Sequence, residues 1–205
     1  MIIYDEIEQG TDEWLKLRSE KITGKVLPEI DGTPQAREKV LYKMLAAKYG
    51  VFDDEENSME RGNRLEPEAR IQYEILTGYT VDTPGFCESN EHEEIANSPD
   101  GLIQLEEGYE GAIEIKCLSG WKHLKAKIEN EIPKEHQKQV VQYFIVNEDL
   151  KWLDFVLYNP DLLEHQLVVI RKTREDLKDE IERLYKKQID FLEEVRQLDN
   201  KLKNI

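Results

Sequence analysis

Residues 97–117 read NSPDGLIQLEEGYEGAIEIKC, running from Asn97 to Cys117. In an extended strand successive side chains alternate between faces, so Glu114 and Lys116 share one face while Ile113, Ile115 and Cys117 share the other. A strand that otherwise reads as buried therefore shows one carboxylate and one ammonium together. Pairing of Leu102–Leu105 with it across a turn from Glu106 to Gly111 sets Asp100 at the end of the neighbouring strand, within reach of the same spot. Two carboxylates and a lysine converging at a strand edge are the parts needed to hold a divalent cation against a phosphodiester. A same-face Glu/Lys ion pair and an ordinary Pro-Asp-Gly turn explain the same letters. The D-x13-E-x-K spacing fixes only three positions, so its neighbours have to decide.

The chain is 205 residues long, enough for one domain with a real core, and 1–205 is read as a single unit. Lys and Arg number 28 against 44 Asp and Glu, a net charge of −16 that by itself speaks against a nucleic-acid binder. The excess is local: residues 53–110 hold three basic and 17 acidic residues, a net of −14. That block reads as a solvated acidic face, which leaves any DNA path to the segments where the charges balance. The two cysteines, Cys87 and Cys117, lack CxxC spacing and fit a reducing cytosol rather than a zinc or iron-sulfur site. Neither a signal-peptide profile nor an apolar membrane-spanning window is legible, so the expectation is a soluble, cytoplasmic protein with no membrane partner.

Thr11 followed by Asp12, Glu13 and Trp14 reads as a capped helix start that brings Trp14, Leu17 and Arg18 within a turn of one another. Further helices are expected over 37–49 and 59–76, the second with Pro67 marking a start or a kink. An acidic loop is read at 50–58 and a strand region at 77–86. A basic loop or helix follows at 120–128, a helix at 133–146, and strands at 152–157 and 167–170. Thr173 then caps a last helix over 172–205. There Leu177, Ile181, Leu184, Gln188, Phe191, Val195, Leu198 and Leu202 form a seam with one polar member, packed on its own domain or on a neighbouring subunit.

The blocks QGTDEWLKLRSEKITG, RGNRLEPEA, NSPDG, EIKC and QVVQY, in that order, resemble the bacteriophage lambda exonuclease family, or YqaJ-type viral recombinases, within the PD-(D/E)xK nucleases. The resemblance spans about residues 8–145. It implies an α/β (α+β) fold with a restriction-endonuclease-like core, a central mixed sheet flanked by helices, and 5'-to-3' digestion of one strand of linear double-stranded DNA for recombination. It places Asp100 and Glu114 as metal ligands, Lys116 as the catalytic lysine, and Glu66 as the helix-borne acid that completes the site. Gln139 and Tyr143 fit its Q-x-x-x-Y pattern. Gln142 falls where a glutamine approaches a terminal 5'-phosphate, Arg18 and Ser98 where that phosphate is gripped. Trp14 is a candidate for stacking on DNA, or else core. Lys25 departs from the serine common at its position.

With those residues the implied cofactor is Mg2+, with Mn2+ able to substitute, since Glu66, Asp100, Glu114 and the Ile115 carbonyl all offer oxygen. Two cations would serve the attacking water and the leaving 3'-oxygen, and Lys116 would act as base or as electrostatic clamp. The implied partners are duplex DNA with free, 5'-phosphorylated ends, other copies of the chain in a homotrimer, and a single-strand annealing protein, in a bacterial cell carrying a phage or prophage. A structure-specific or restriction-type endonuclease, or a non-catalytic interaction protein on the same fold, are the competing readings.

Overall fold

The computed structural model describes residues 1–19, 21–48, 60–118, 120–162 and 164–204. In chain order its elements are β1 (Ile2–Tyr4), α1 (Asp12–Ser19), α2 (Leu27–Ile30), α3 (Pro34–Lys48), α4 (Glu60–Thr77), β2 (Phe86–Glu88), β3 (Ala96–Asn97), β4 (Gly101–Leu105) and β5 (Gly108–Lys116). Then come α5 (Gly120–Glu129), α6 (Lys134–Val146), β6 (Trp152–Tyr158), β7 (Leu167–Thr173), a 3-10 turn at Glu175–Leu177 and α7 (Lys178–Lys203). The acidic loop expected at 50–58 lies outside the described residues, as do Tyr49 and Met59.

The quoted stretch is the hairpin β4–β5, at one side of a four-stranded sheet ordered β4-β5-β6-β7. β5 and β6 are parallel and the other pairs antiparallel. A parallel pair needs a long crossover, and α5 with α6 supplies it. The hairpin is tighter than the sequence suggested, because Leu105 pairs with Gly108 and only Glu106 and Glu107 make the turn. Gly108 permits this with φ +133, and the register shifts between Ile103 and Gln104 to absorb the change. β1, β2 and β3 form a second, smaller antiparallel sheet.

Alternation along β5 sorts the core into two layers. Ala112, with Leu153, Phe155 and Leu157 of β6, packs against Val140, Val141 and Phe144 of α6 and Leu184, Phe191 and Val195 of α7. Ile113 and Ile115 pack with Val156 on the opposite face, under Leu65, Ala69 and Tyr73 of α4. The result is the expected α+β arrangement, a mixed sheet between helices with a long C-terminal helix. The seam of α7 is spent on its own chain: Leu184, Gln188, Phe191 and Val195 are buried, while Leu202 at the far end is exposed.

Local signals behave as their chemistry requires, with shifted boundaries. Thr11 Oγ1 accepts the Trp14 N–H at 3.3 Å, capping α1. α3 begins at Pro34 rather than Arg37, since proline is at home in a first helical turn. Pro67 neither starts nor breaks α4, which runs through it. Thr173 caps the 3-10 turn rather than α7 directly: its hydroxyl accepts the Asp176 N–H at 3.2 Å, and the Asp176 carboxylate accepts the Thr173 N–H at 2.8 Å. β7 itself extends to Thr173. Of the strand expected at 77–86, only a bridge from Asp82 to Leu102 and the start of β2 are extended pairing.

Candidate active site

The site grows from the polar face of β5. Glu114 is fully buried, and a carboxylate there must be matched by donors or it loses its hydration without return. Three donors reach it. Lys116 Nζ and Gln139 Nε2, the latter at 2.5 Å, both bond Oε1, and the Tyr143 hydroxyl donates to Oε2 at 2.6 Å. Gln139 and Tyr143 stand one turn apart on α6, the helix that covers this face of the sheet. The Tyr143 oxygen in turn accepts the Asp100 N–H at 3.1 Å.

Asp100 immediately precedes β4, and its Oδ2 accepts the Ile115 N–H at 2.7 Å. Glu66 comes from α4, which packs on the other face of the sheet. Arg70, one turn further along α4, donates from Nη2 to Glu66 Oε1 at 2.5 Å and from Nε to the Asp100 carbonyl at 3.3 Å.

The three carboxylates sense one another. Burial, then the Glu114 and Glu66 charges, push the Asp100 carboxyl well above its usual range, with Lys116 opposing. Glu66 is also raised, by burial first and by Glu114, against Arg70 and Lys116. Burial works against the Lys116 ammonium, but Glu114 and Asp100 outweigh it and hold it charged to higher pH than a free lysine. Burial and the same two carboxylates raise the Tyr143 phenol, which therefore stays a donor.

This donor set fits a hard divalent cation. All the groups are oxygens, and Asp100 and Glu66, both raised by burial and by the Glu114 charge, gain from nearby positive charge. Among the described residues no three acidic, imidazole or thiol side chains already close as a cage. Instead Glu66, Asp100 and Glu114 are held by Arg70, the Ile115 amide, and the trio of Lys116, Gln139 and Tyr143.

The remaining candidates divide. Trp14 is 3% exposed, and packs with Ile7, Phe86 and Ala96. This corrects the stacking expectation, because no face of the indole is open to a base. Trp14 acts instead as a strut: its Nε1 donates to Ser98 Oγ at 3.1 Å, and the Arg18 guanidinium lies 4.3 Å from its ring centroid. Arg18 also reaches Thr23 Oγ1 at 3.5 Å. Arg18 and Ser98 are thus brought to one neighbourhood, two residues before Asp100. Lys25 is exposed and follows Gly24, which is pressed against α6 so closely that a Cβ there would lie 2.9 Å from Gln139 Cγ.

Gln142 is a second correction. It has no solvent exposure, and its Nε2 faces the carbonyls of Ile22 at 3.0 Å and Ala96 at 3.2 Å and Gln188 Oε1 at 3.1 Å. Gln188 returns a bond to Gln142 Oε1 at 3.0 Å. A phosphate has no access to it in this packing. The polar position in the α7 seam exists to meet Gln142.

Two residues of the site were passed over in the sequence. Arg70 could have been found from its i+4 spacing to Glu66. His136, three positions before Gln139, rests 5.7 Å from the Phe155 ring centroid, and burial followed by Lys116 lowers its pKa.

The YqaJ-like viral recombinase domain matches residues 13–149. No curated protein matches the sequence. Among solved structures, an alkaline exonuclease (LHK-Exo) from Laribacter hongkongensis superposes with a TM-score of 0.79 at 27% identity, over 95% of this chain and 99% of that one. LHK-Exo in complex with dAMP gives 0.78 at 28% identity with the same coverage. A phage related exonuclease from Haemophilus somnus 129PT shares the fold, with a TM-score of 0.58 at 18% identity over 89% of this chain and 96% of that one.

Proposed function

The chain belongs to the YqaJ-like viral recombinase family, and from that premise we propose that it is a nuclease, specifically a Mg2+-dependent exonuclease that digests one strand of linear duplex DNA from its 5' end. The observation that carries this reading is the chain of contacts that joins Glu66 through Arg70 to Asp100, and Asp100 through Tyr143 and the Ile115 amide to the Glu114–Lys116 pair. Similarity over nearly the full length to an alkaline exonuclease supports it.

Glu66, Asp100, Glu114 and the Ile115 carbonyl would hold Mg2+ or Mn2+, which would lower the pKa of an attacking water and offset charge gathering on the phosphoryl oxygens. The chain's own contributions follow from its contacts. Lys116, kept cationic by Glu114 and Asp100, faces the negative scissile phosphate and serves as an electrostatic clamp. Tyr143 and Gln139 fix the Glu114 carboxylate, so that its free lone pairs keep one direction. Asp100 is aimed by the Ile115 amide. Arg18, braced on Trp14, offers a planar fork to a terminal 5'-phosphate, and Ser98 offers a hydroxyl beside it.

A homotrimer encircling the duplex, a single-strand annealing partner and action in the bacterial cytoplasm complete the reading. Among the described residues no helix is long and apolar enough to cross a membrane. The deciding experiment incubates linear 5'-phosphorylated duplex and covalently closed circles with protein and Mg2+. Shortening of the 5'-ended strand with circles intact is expected. Cleavage of closed circles, or shortening from the 3' end, would overturn it.

A further inference from the structure

The candidate site holds three carboxylates and two cations, and each cation has its own partner. Lys116 is paired with Glu114 on one strand face, and Arg70 with Glu66 on one helical turn. The two pairs differ in what surrounds them. Glu114 has no exposure and accepts from three donors, so its environment is fixed. The Glu66 and Arg70 side chains are 27% and 20% exposed, and Glu66 accepts a hydrogen bond from the same guanidinium that leans on the Asp100 carbonyl at 3.3 Å. Arg70 therefore stands on the open side of the site, occupying Glu66 at the place where a divalent cation would need it.

We propose that Arg70 is a positioning residue that contends with the divalent cation for Glu66, and that the substrate's phosphates draw the guanidinium off and so complete the metal site. This rests on the nuclease reading above. The chemistry favours the exchange, because a guanidinium fork matches two phosphate oxygens better than it matches one carboxylate oxygen and a long contact to a carbonyl. Before substrate arrives, the pair keeps Glu66 neutralised and the cation weakly held. Once a phosphate takes Arg70, Glu66 joins Asp100 and Glu114 with its charge unmatched. Binding of duplex and of cation must then favour each other to the same degree, since coupling between two ligands is reciprocal. A merely structural salt bridge on α4 produces no such dependence.

The test measures Mn2+ binding by calorimetry, using the full chain with and without a short 5'-phosphorylated duplex whose phosphorothioate linkages resist hydrolysis. For the wild type, duplex should tighten Mn2+ binding by roughly tenfold. In Arg70→Gln the free protein should bind Mn2+ more tightly than the wild type, and the gain from duplex should fall to about twofold or less. Arg70→Gln that binds Mn2+ no more tightly than the wild type, or that keeps the full gain from duplex, overturns the inference and leaves the nuclease reading standing. A wild type that binds no Mn2+ in either state overturns both. Should Arg70→Gln fail to fold, Glu66→Gln removes the contested carboxylate instead. The duplex-dependent gain must then vanish, and its persistence refutes the exchange.

Discussion

Tyr143 donates to Glu114 Oε2 at 2.6 Å, joining a residue of the helix-side core to the buried carboxylate at the centre of the site. The same oxygen takes the Asp100 N–H at 3.1 Å, so a single hydroxyl ties together two proposed metal ligands, one on β5 and one just before β4. Packing and chemistry are the same contact here. A weaker core at Tyr143 would be a looser site.

Tyr143→Phe keeps the ring and deletes that hydroxyl. The buried Glu114 carboxylate loses one of three donors and the Asp100 amide loses its acceptor, at a cost of about 1.5–3 kcal/mol. Nuclease activity should fall by about 10- to 100-fold, as for loss of a residue that orients a metal ligand. Urea denaturation alongside turnover on linear duplex checks both. Unchanged activity in a destabilised variant would confine Tyr143 to the core.

Gln142 and Gln188 bond each other through both amides, with Gln142 also facing the Ile22 and Ala96 carbonyls. Gln142→Leu strands these partners in the interior, and should cost about 2–4 kcal/mol. With Gln188→Leu also in place, the total should fall short of the sum of the single changes by about 1 kcal/mol or more, as expected of directly bonded groups. Strict additivity in a urea double-mutant cycle would contradict the observed geometry. The preference for 5'-phosphorylated ends should survive Gln142→Leu if the protein is folded.

What the letters revealed and concealed follows from the range of each force. Period-two alternation placed Glu114 and Lys116 on one face and Ile113 and Ile115 on the other, because a strand leaves side chains no other choice. The reach of Asp100 to the same spot was legible from the hairpin, although the length of the turn was not. Two tight glutamate residues and a left-handed glycine do the work that six residues were assigned. The burial of Gln142, and the choice between core and stacking at Trp14, were hidden for one common reason. Polar and aromatic side chains have the same letters whether they meet solvent, substrate or a buried partner, and Gln188 and Ser98 lie 46 and 84 residues away from them in the chain. The i+4 step from Glu66 to Arg70 is visible in the letters, but such pairs are common on solvated helix faces, and only the packing that brings Arg70 to the Asp100 carbonyl distinguishes this one.

Asp31 accepts from Arg183 at 2.8 and 3.0 Å and pairs with Lys138 at 2.7 Å and with Lys187, tying α2 to α6 and α7. The Arg183 contact first, and the lysines with it, hold this carboxyl well below the usual range against the opposing effect of burial. A lowered folded pKa means that the stabilisation is complete above the unfolded value of about 4 and is lost as pH falls through the folded one. Asp31→Asn should therefore lower the urea midpoint at pH 7. The gap to the wild type should narrow below about pH 4. A gap that widens on acidification would reverse the sign and refute the assignment.

Glu114→Ala and Lys116→Ala should each reduce cleavage by roughly a thousandfold or more, since the first removes a proposed cation ligand and the second the positive charge set against the reacting phosphate. Circular dichroism and DNA-binding measurements should show folded protein that still engages duplex. Lys116→Ala separates two roles by its pH profile: a clamp, once lost, lowers the rate at all pH values, whereas a base removes an ionisation from the profile. Mg2+-dependent cleavage that persists in clean Lys116→Ala protein contradicts the mechanism.

Arg18 is the sharpest test of substrate polarity, because its position depends on α1 and Trp14 rather than on the metal ligands. Its guanidinium lies against the Trp14 ring, whose indole N–H is fixed on Ser98. Arg18→Ala should leave the buried strut in place and remove the fork, so the fold should persist while the advantage of a 5'-phosphate over a 5'-hydroxyl shrinks by roughly tenfold, the worth of one charge-assisted bond. Digestion of the two otherwise identical duplexes, with matched ends and at saturating Mg2+, gives the ratio directly. An equal loss of rate on both ends would assign Arg18 to general DNA attraction, and Trp14→Phe should then leave that ratio unmoved as well. If instead Arg18 holds the terminal phosphate, Trp14→Phe should reduce the ratio part of the way, because the phenyl ring retains a face for the guanidinium and loses the bond that anchors Ser98.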